Sequence, residues 1–249
     1  MTLPTLPFES TNCALNLLNP HTENHGTHNR DRHDPSQRGS RHQRSLVPAG
    51  KVWQSTLDTV SQQDGFQRAY YGREIENPSV VQLLVGEKFS KLGLLQAPPK
   101  IHRDPVYGPF AKHLMTIVDG PLTMHHANFT PHPPSAALSH TTSPVTEVLT
   151  CVLPSQDESF EKNVNKFLDI IKEKAEGGKA AAQGWIIEDV EHENLGAGKK
   201  GKAFVCMMGW ESLDAHLKFR ETSDFKDNIH LLREGPVGVE VHHTAFVET

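Results

Sequence analysis

Gly120-Pro121 leads into Met124-His125-His126-Ala127-Asn128-Phe129, and Gly235-Pro236 leads into Val241-His242-His243-Thr244-Ala245-Phe246. The second histidines of the two pairs stand 117 residues apart (126 to 243). Solenoid repeats recur every roughly 20–50 residues, so this spacing predicts two units of ordinary domain size, about 100 residues each. Each unit is expected to close on a strand that carries a His-His pair.

Working back from the second pair, Thr146 to Leu153 is rich in β-branched residues and stops at Pro154, which reads as a strand. Phe160, Val164, Phe167, Leu168 and Ile171 form a helical stripe up to Lys174, ended by Gly177-Gly178. A second strand is expected over Gln183–Val190, a polar turn over Leu195–Gly201 and a third strand over Lys202–Gly209. A helix from Glu211 should present Leu213, His216, Leu217 and Arg220 on one face, and a further helical stretch runs from Ser223 to Arg233. The last strand is Val237–Val247. Strand, helix, strand, strand, helix, strand is the split βαβ plan, a four-stranded antiparallel sheet with helices on one face.

The first unit repeats the plan, with a helix over Val52–Val60, strands over Phe66–Glu74 and Pro78–Val85, a helix over Tyr107–Val118 and a closing strand over Leu122–Phe129. Its opening strand is sought at 11–18, which mirrors Thr146 to Leu153. The chain therefore divides into 1–47, largely disordered apart from that candidate strand; 48–129, a first α+β unit; 130–143, a proline-rich linker; and 144–249, a second α+β unit. Residues 19–45 hold five Arg, five His and three Asn and almost nothing apolar, too little to offset the entropy of ordering them. The first unit departs from the second over 86–105, where no counterpart of Trp210 or His216 appears.

Composition excludes several classes. A net charge of −5 argues against a nucleic-acid or anionic-membrane partner. No window reaches the ~18 apolar residues of a bilayer span, and no signal-peptide pattern opens the chain. Three cysteines without paired or metal spacing suit reduced thiols, and the expected location is cytoplasmic. There is no phosphate-binding Gly-rich loop, dinucleotide fingerprint or serine elbow.

The tandem split-βαβ pattern, the sheet-to-helix corner at Trp210 and His216, and the phrases Gly65-Phe66-Gln67-Arg68-Ala69-Tyr70-Tyr71-Gly72-Arg73-Glu74-Ile75-Glu76-Asn77-Pro78 and Tyr107-Gly108-Pro109-Phe110 resemble the antibiotic-biosynthesis-monooxygenase-like domain of the dimeric α+β barrel superfamily, in the tandem form found in fungi. The resemblance covers roughly 48–129 and 144–247. It implies an α+β fold in which two ferredoxin-like units pack sheet to sheet as an intramolecular barrel, a monomeric pseudo-dimer. It also implies that a small apolar or aromatic molecule binds, with cofactor-independent monooxygenation as the activity if the protein is an enzyme.

Candidate site residues follow. His243 and His216 are candidate bases, since His titrates near neutral pH. Trp210 would shape the pocket, as the aromatic at this corner does in the family. His126 matches His243, and Trp185, Tyr71 and Tyr107 could supply hydrogen bonds to a ligand. No metal site is expected, because adjacent His residues on a strand point to opposite faces and cannot chelate one ion. Three other readings stay open: a non-catalytic or stress-associated binding barrel, a haem-degrading relative with a His as axial ligand, and a polyketide-cyclase relative using His and Tyr without oxygen.

Overall fold

The computed structural model describes residues 10–17, 49–88, 107–118, 120 and 122–249. The rest of the stretch 1–47, read as disordered, and 89–105 of the divergent stretch lie outside them. The first unit consists of β1 (Ser10–Leu17), α1 (Ala49–Ser61), β2 (Phe66–Arg73), β3 (Val81–Lys88), α2 (Tyr107–Leu114) and β4 (Leu122–Ala127). A short α3 (Ser135–Leu138) lies within the proline-rich segment. The second unit consists of β5 (Val145–Leu153), α4 (Glu158–Lys174), β6 (Gly178–Trp185), β7 (Val190–Glu191), β8 (Lys200–Trp210), α5 (Leu213–Glu221), α6 (Ser223–Asn228), α7 (His230–Arg233) and β9 (Gly238–Thr244), with β10 (Val247–Glu248) at the end of the chain. Among the described residues no helix is long and apolar enough to cross a membrane.

Both sheets are antiparallel and share one strand order. The first runs β2-β3-β1-β4 with β10 added beyond β2, and the second runs β6-β8-β5-β9. In each, the first strand lies between the third and the last, the order of the split βαβ plan. Local chemistry sets the helix ends. Asp157 caps α4 by accepting from the Ser159 and Phe160 amides, Ser212 caps α5 from Ala215, and Thr222 caps α6 from Phe225. The α4 stripe Phe160, Val164, Phe167 and Ile171 is buried, as its spacing predicts.

The sheets pack face to face. One core joins Tyr70 and Leu84 of the first sheet to Val148, Val152, Ala203, Val205 and Met207 of the second, with Phe129 and Phe246 sealed between them. The opposite face of the second sheet packs on α4, α5 and α7 through Leu149, Cys151, Phe204 and Trp210. That of the first packs on α1 through Ala69, Leu83 and Val85. Each sheet thus buries both faces, and the apolar surface that a lone unit would expose to water is covered.

The chain ends of each unit cross to the other. Thr130 exchanges two backbone hydrogen bonds with Gln183 at the edge of the second sheet (2.7 and 3.0 Å), while β10 pairs with β2 at the edge of the first. The Ile187 amide donates to the His126 carbonyl (2.8 Å), and the Ile75 amide donates to the His243 carbonyl (2.7 Å). Two glycines permit this approach. A Cβ at Gly184 would lie 2.1 Å from the Asn128 carbonyl oxygen, and one at Gly72 would lie 2.6 Å from that of Ala245.

Several elements differ from expectation. The strand placed at Gln183–Val190 begins at Gly178 and ends at Trp185, because Ala180, Ala181 and Ala182, poor strand formers by themselves, pair fully with β8. The face expected on α5 is rotated: His216 and Phe219 are buried and Leu217 is exposed. The helix expected over Ser223–Arg233 is two short helices that meet at Ile229. The last strand breaks after Thr244 and its tail joins the other sheet. The opening strands mirror each other one residue out of the expected register. Cys13 pairs with His126 and Glu147 with His243, so Glu147 corresponds to Cys13 and Thr146 to Asn12. A slip of one residue exchanges the two faces of a strand.

Candidate functional site

The alternation of β9 turns Val239, Val241 and His243 toward the helices, and His242 and Thr244 toward the other sheet. Thr244 Oγ1 bonds Gln82 there at 3.0 Å. The two His pairs are consequently split between different environments. His125 and His242 are half-buried, and burial lowers the pKa of both, that of His242 to about 4.

His126 and His243 hold the two units together. The Glu188 carboxylate accepts from the His126 amide (2.9 Å) and from its ring Nδ1. The Glu76 carboxylate accepts from the His243 amide (2.8 Å) and from its Nδ1 in the same way. Each carboxylate belongs to the opposite unit from its histidine, so these are two pseudo-equivalent clasps. Burial would raise the Glu188 carboxyl, but the hydrogen bonds from His126 outweigh it and hold the pKa at about 2. Glu76 is lowered by the same balance with His243.

In the second unit the clasp continues inward. His216 Nδ1 lies 2.7 Å from His243 Nε2, and His216 Nε2 lies 3.4 Å from Glu147 Oε2. Trp210 donates Nε1–H to that oxygen at 3.1 Å and stacks on the His216 ring (4.8 Å between centroids, 27° between planes). Ser212 places His216 here: it caps α5, so the first turn of the helix starts at the end of β8 and lays His216 over Trp210. Burial raises the Glu147 pKa to about 7, despite the Trp210 hydrogen bond and the Arg220 charge. Burial, with the neighbouring His243 and Arg220, lowers that of His216 to about 3. Near neutral pH this core therefore holds a neutral imidazole against a carboxyl poised between its two states.

Glu147, Trp210 and His216 form the polar wall of a cavity of about 170 Å³ between the second sheet and its helices. The rest of the lining is apolar: Leu149, Val239 and Val241 from the sheet, and Phe167, Ile171, Phe219, Phe225, Ile229 and Leu232 from the helices. Arg220 and Arg233 stand at its exposed rim. A dry cavity of about 150 Å³ accepts benzene, so this space is on the scale of one or two fused rings. Glu147, His216 and His243 also have donor atoms within 4.8 Å of one another. The two ring nitrogens of His216 face opposite neighbours, so the trio forms a chain, and His216 would have to turn for all three to meet one ion.

Of the residues singled out from sequence, Trp210, His216 and His243 come together here. His216 reaches the cavity wall, and His243 stands behind it. His126 lies at the other clasp. Trp185 packs edge-on against Phe204 and donates to Glu161 (2.9 Å), away from the cavity. Tyr71 packs edge-on against Trp53 in the first unit. Tyr107 opens α2, and its side chain lies outside the described part. Sequence reasoning missed Glu147 and Glu76. The signal for Glu147 was a lone carboxylate inside the apolar run Val145 to Leu153; Glu76 had no local signal, because its partner is 167 residues away.

No family model matches the chain, and no curated protein matches it in sequence. Solved structures do match in shape. An anthrone oxidase-like protein aligns over 97% of this chain and 93% of its own, with a TM-score of 0.60 at 9% identity. A proposed monooxygenase of Fusobacterium nucleatum subsp. nucleatum aligns over 97% and 94%, with a TM-score of 0.51 at 9% identity. With its strand order and sheet-to-sheet core, the chain shares with these structures an α+β barrel fold of two split-βαβ units, closed here within one polypeptide.

Proposed function

We propose that the protein binds a small aromatic molecule in the second unit's cavity and oxidises it with dioxygen, without a cofactor, as a monomer. The observation that carries this reading is Glu147, a carboxyl with a pKa raised to about 7 on the wall of an otherwise apolar, aromatic-lined cavity. A general base works best when its pKa lies near the working pH. Among the three polar groups on that wall Glu147 meets the condition, whereas His216, lowered to about 3, is a weak base by itself. Its neutral imidazole instead holds the carboxyl in place, and takes a proton from Glu147 only as it passes its own Nδ1 proton on to His243.

The chemistry balances without a redox group. Glu147 takes a proton from an acidic carbon or hydroxyl of a phenol-like substrate, leaving a carbanion or enolate. That anion is electron-rich and gives its electrons to dioxygen, forming a peroxide anion. Protonation and loss of water then leave a ketone, so that a CH2 group and O2 become a C=O group and water. Exclusion of water by the aromatic lining keeps the anion reactive. The anthrone oxidase-like neighbour makes an anthrone the first substrate to try; two of its three rings match the cavity, and the third would lie at the exposed rim between Arg220 and Arg233.

Oxygen uptake by the full-length protein with an anthrone tests this. Glu147→Gln should lower kcat about 100-fold or more, and Trp210→Phe should weaken turnover by freeing Glu147. Ligand binding seen by quenching of Trp210 fluorescence, with no oxygen uptake across a panel of anthrones and phenols, would turn the reading to a non-catalytic binding barrel.

A further inference from the structure

Glu76 belongs to the first unit, yet it ends a chain of polar side chains that starts at the second unit's cavity. Glu147, His216 and His243 are buried, and the Glu76 side chain is 45% exposed. The contacts run Glu147 Oε2 to His216 Nε2 (3.4 Å), His216 Nδ1 to His243 Nε2 (2.7 Å), and His243 Nδ1 to Glu76 Oε1. Each imidazole offers one nitrogen to each neighbour. That is the arrangement in which a proton crosses by short hops, since a neutral ring donates at one nitrogen and accepts at the other. We propose that Glu76 is the solvent end of a proton relay that links the second unit's cavity to water across the interface between the two units.

The pseudo-symmetry separates this role from clasping. Both units have a clasp, His126 with Glu188 and His243 with Glu76. The second unit adds Glu147 opposite His243, where the register of the first puts Cys13 opposite His126. A clasp by itself needs no buried carboxylic acid beyond it, and burying one is costly unless it is partnered.

The transfer conserves bonds and moves no electrons. The O–H of Glu147 breaks as an N–H forms at His216 Nε2. The Nδ1–H of His216 breaks as one forms at His243 Nε2, and the Nδ1–H of His243 breaks as an O–H forms on Glu76, which passes the proton to water. Both rings are left in the opposite tautomer. They return when a proton comes back along the same path, as protonation of the peroxide anion requires. This use of the relay rests on the proposed oxygenation; the proton path itself does not. Glu147 is faced by His216 and Arg220 from α5, Trp210 and Cys206 from β8, His243 from β9 and Arg233 from α7. Glu76 is faced by His243 and His242 from β9 and by Glu74 beside it.

Glu76 acts through His243 and is a positioning and relay residue, so its test compares the two clasps in the full-length protein. Glu76→Gln and Glu188→Gln should lower the melting temperature alike, because each keeps an acceptor for the histidine amide. With anthrone and dioxygen, Glu76→Gln alone should lower kcat about tenfold with KM unchanged, and added formate or imidazole should restore it in proportion to concentration. Wild-type kcat in Glu76→Gln, an equal loss in Glu188→Gln, or a loss that buffer does not restore would overturn the relay. Long-range 15N–1H spectra of the ring nitrogens decide the point even if anthrone is not turned over. Glu76→Gln should shift the Nε2 signal of His216, one ring beyond its own contact, and Glu188→Gln should leave it in place. An unmoved His216 signal in Glu76→Gln would sink the relay and leave the proposed function standing on its own test.

Discussion

Glu147 and His216 exchange proton-holding roles when the chain folds. Unfolded, the carboxyl titrates near 4.5 and the imidazole near 6.5; folded, the carboxyl rises to about 7 and the imidazole falls to about 3. Between pH 4.5 and 6.5 the pair therefore holds one proton in either state, on His216 when unfolded and on Glu147 when folded. Stability follows the difference in bound protons, so the pair adds no pH dependence in that window. Removing one partner exposes the other. A raised carboxyl contributes stability below its unfolded pKa and loses it as pH rises toward the folded value. Glu147→Gln should thus gain on wild type as pH rises from 4.5 to 7, by roughly 3 kcal/mol for a buried group at about 1.4 kcal/mol per pKa unit. Urea unfolding of both proteins at several pH values measures the gain, and a constant difference would show that the carboxyl is not perturbed. Trp210, His216 and His243 were legible in the sequence because a repeated His pair and a Trp at a strand-to-helix corner stand out as patterns. Glu147 was not, because a single acidic residue near the start of a strand reads as its solvent side until the register shows that both faces of the strand are covered.

Elements with strong periodicity were legible for the same reason. The α4 stripe and the strand at Thr146–Leu153 each carry their partner's geometry in their own spacing, and the strand order followed from them. The edge strand β6 was legible only at its end, Gln183 to Trp185, and its first part was not. Ala180 to Ala182 lack the branched side chains that mark a strand, and they are small because Ala182, 1% exposed, sits in the core between the sheets. The tail of the chain hid a second feature. After Thr244 it leaves its own sheet, buries Phe246 fully between the two sheets and pairs Val247 with Tyr71 at the other sheet's edge. No local pattern encodes a change of sheet. The burial makes Phe246 an anchor for that crossing. Phe246→Ala should cost about 3–5 kcal/mol in urea unfolding, and Val247→Ala, at a half-exposed position, should stay within about 0.5 kcal/mol. Equal small losses would mean that the tail is not anchored by its aromatic ring.

The units are interlocked as well as adjacent. The second unit lends β10 to the first sheet's edge, the first unit bridges the second sheet's edge at Thr130 and Gln183, each supplies the carboxylate that clasps the other's histidine, and one core contains side chains from both sheets. The two halves therefore cannot unfold one at a time without exposing the inner face and the open edge of the survivor, and a four-stranded sheet with a bare apolar face is unstable in water. Scanning calorimetry at pH 7 should show one transition whose van't Hoff and calorimetric enthalpies agree. The clasps give that transition an acid limit. Glu188 is held at about 2 in the folded state against 4.5 unfolded. Its contribution is complete above pH 4.5 and fades as pH falls toward 2, where the carboxylate protonates and releases His126. The single transition should move to lower temperature over that range, and Glu188→Gln should flatten the dependence. Val at Gly184 would collide with the Asn128 backbone of the other unit, and the substitution should lower the same transition without splitting it. Two transitions in the wild-type protein would show that each half folds for itself, and the crossed strands and clasps would then be decoration on two independent domains.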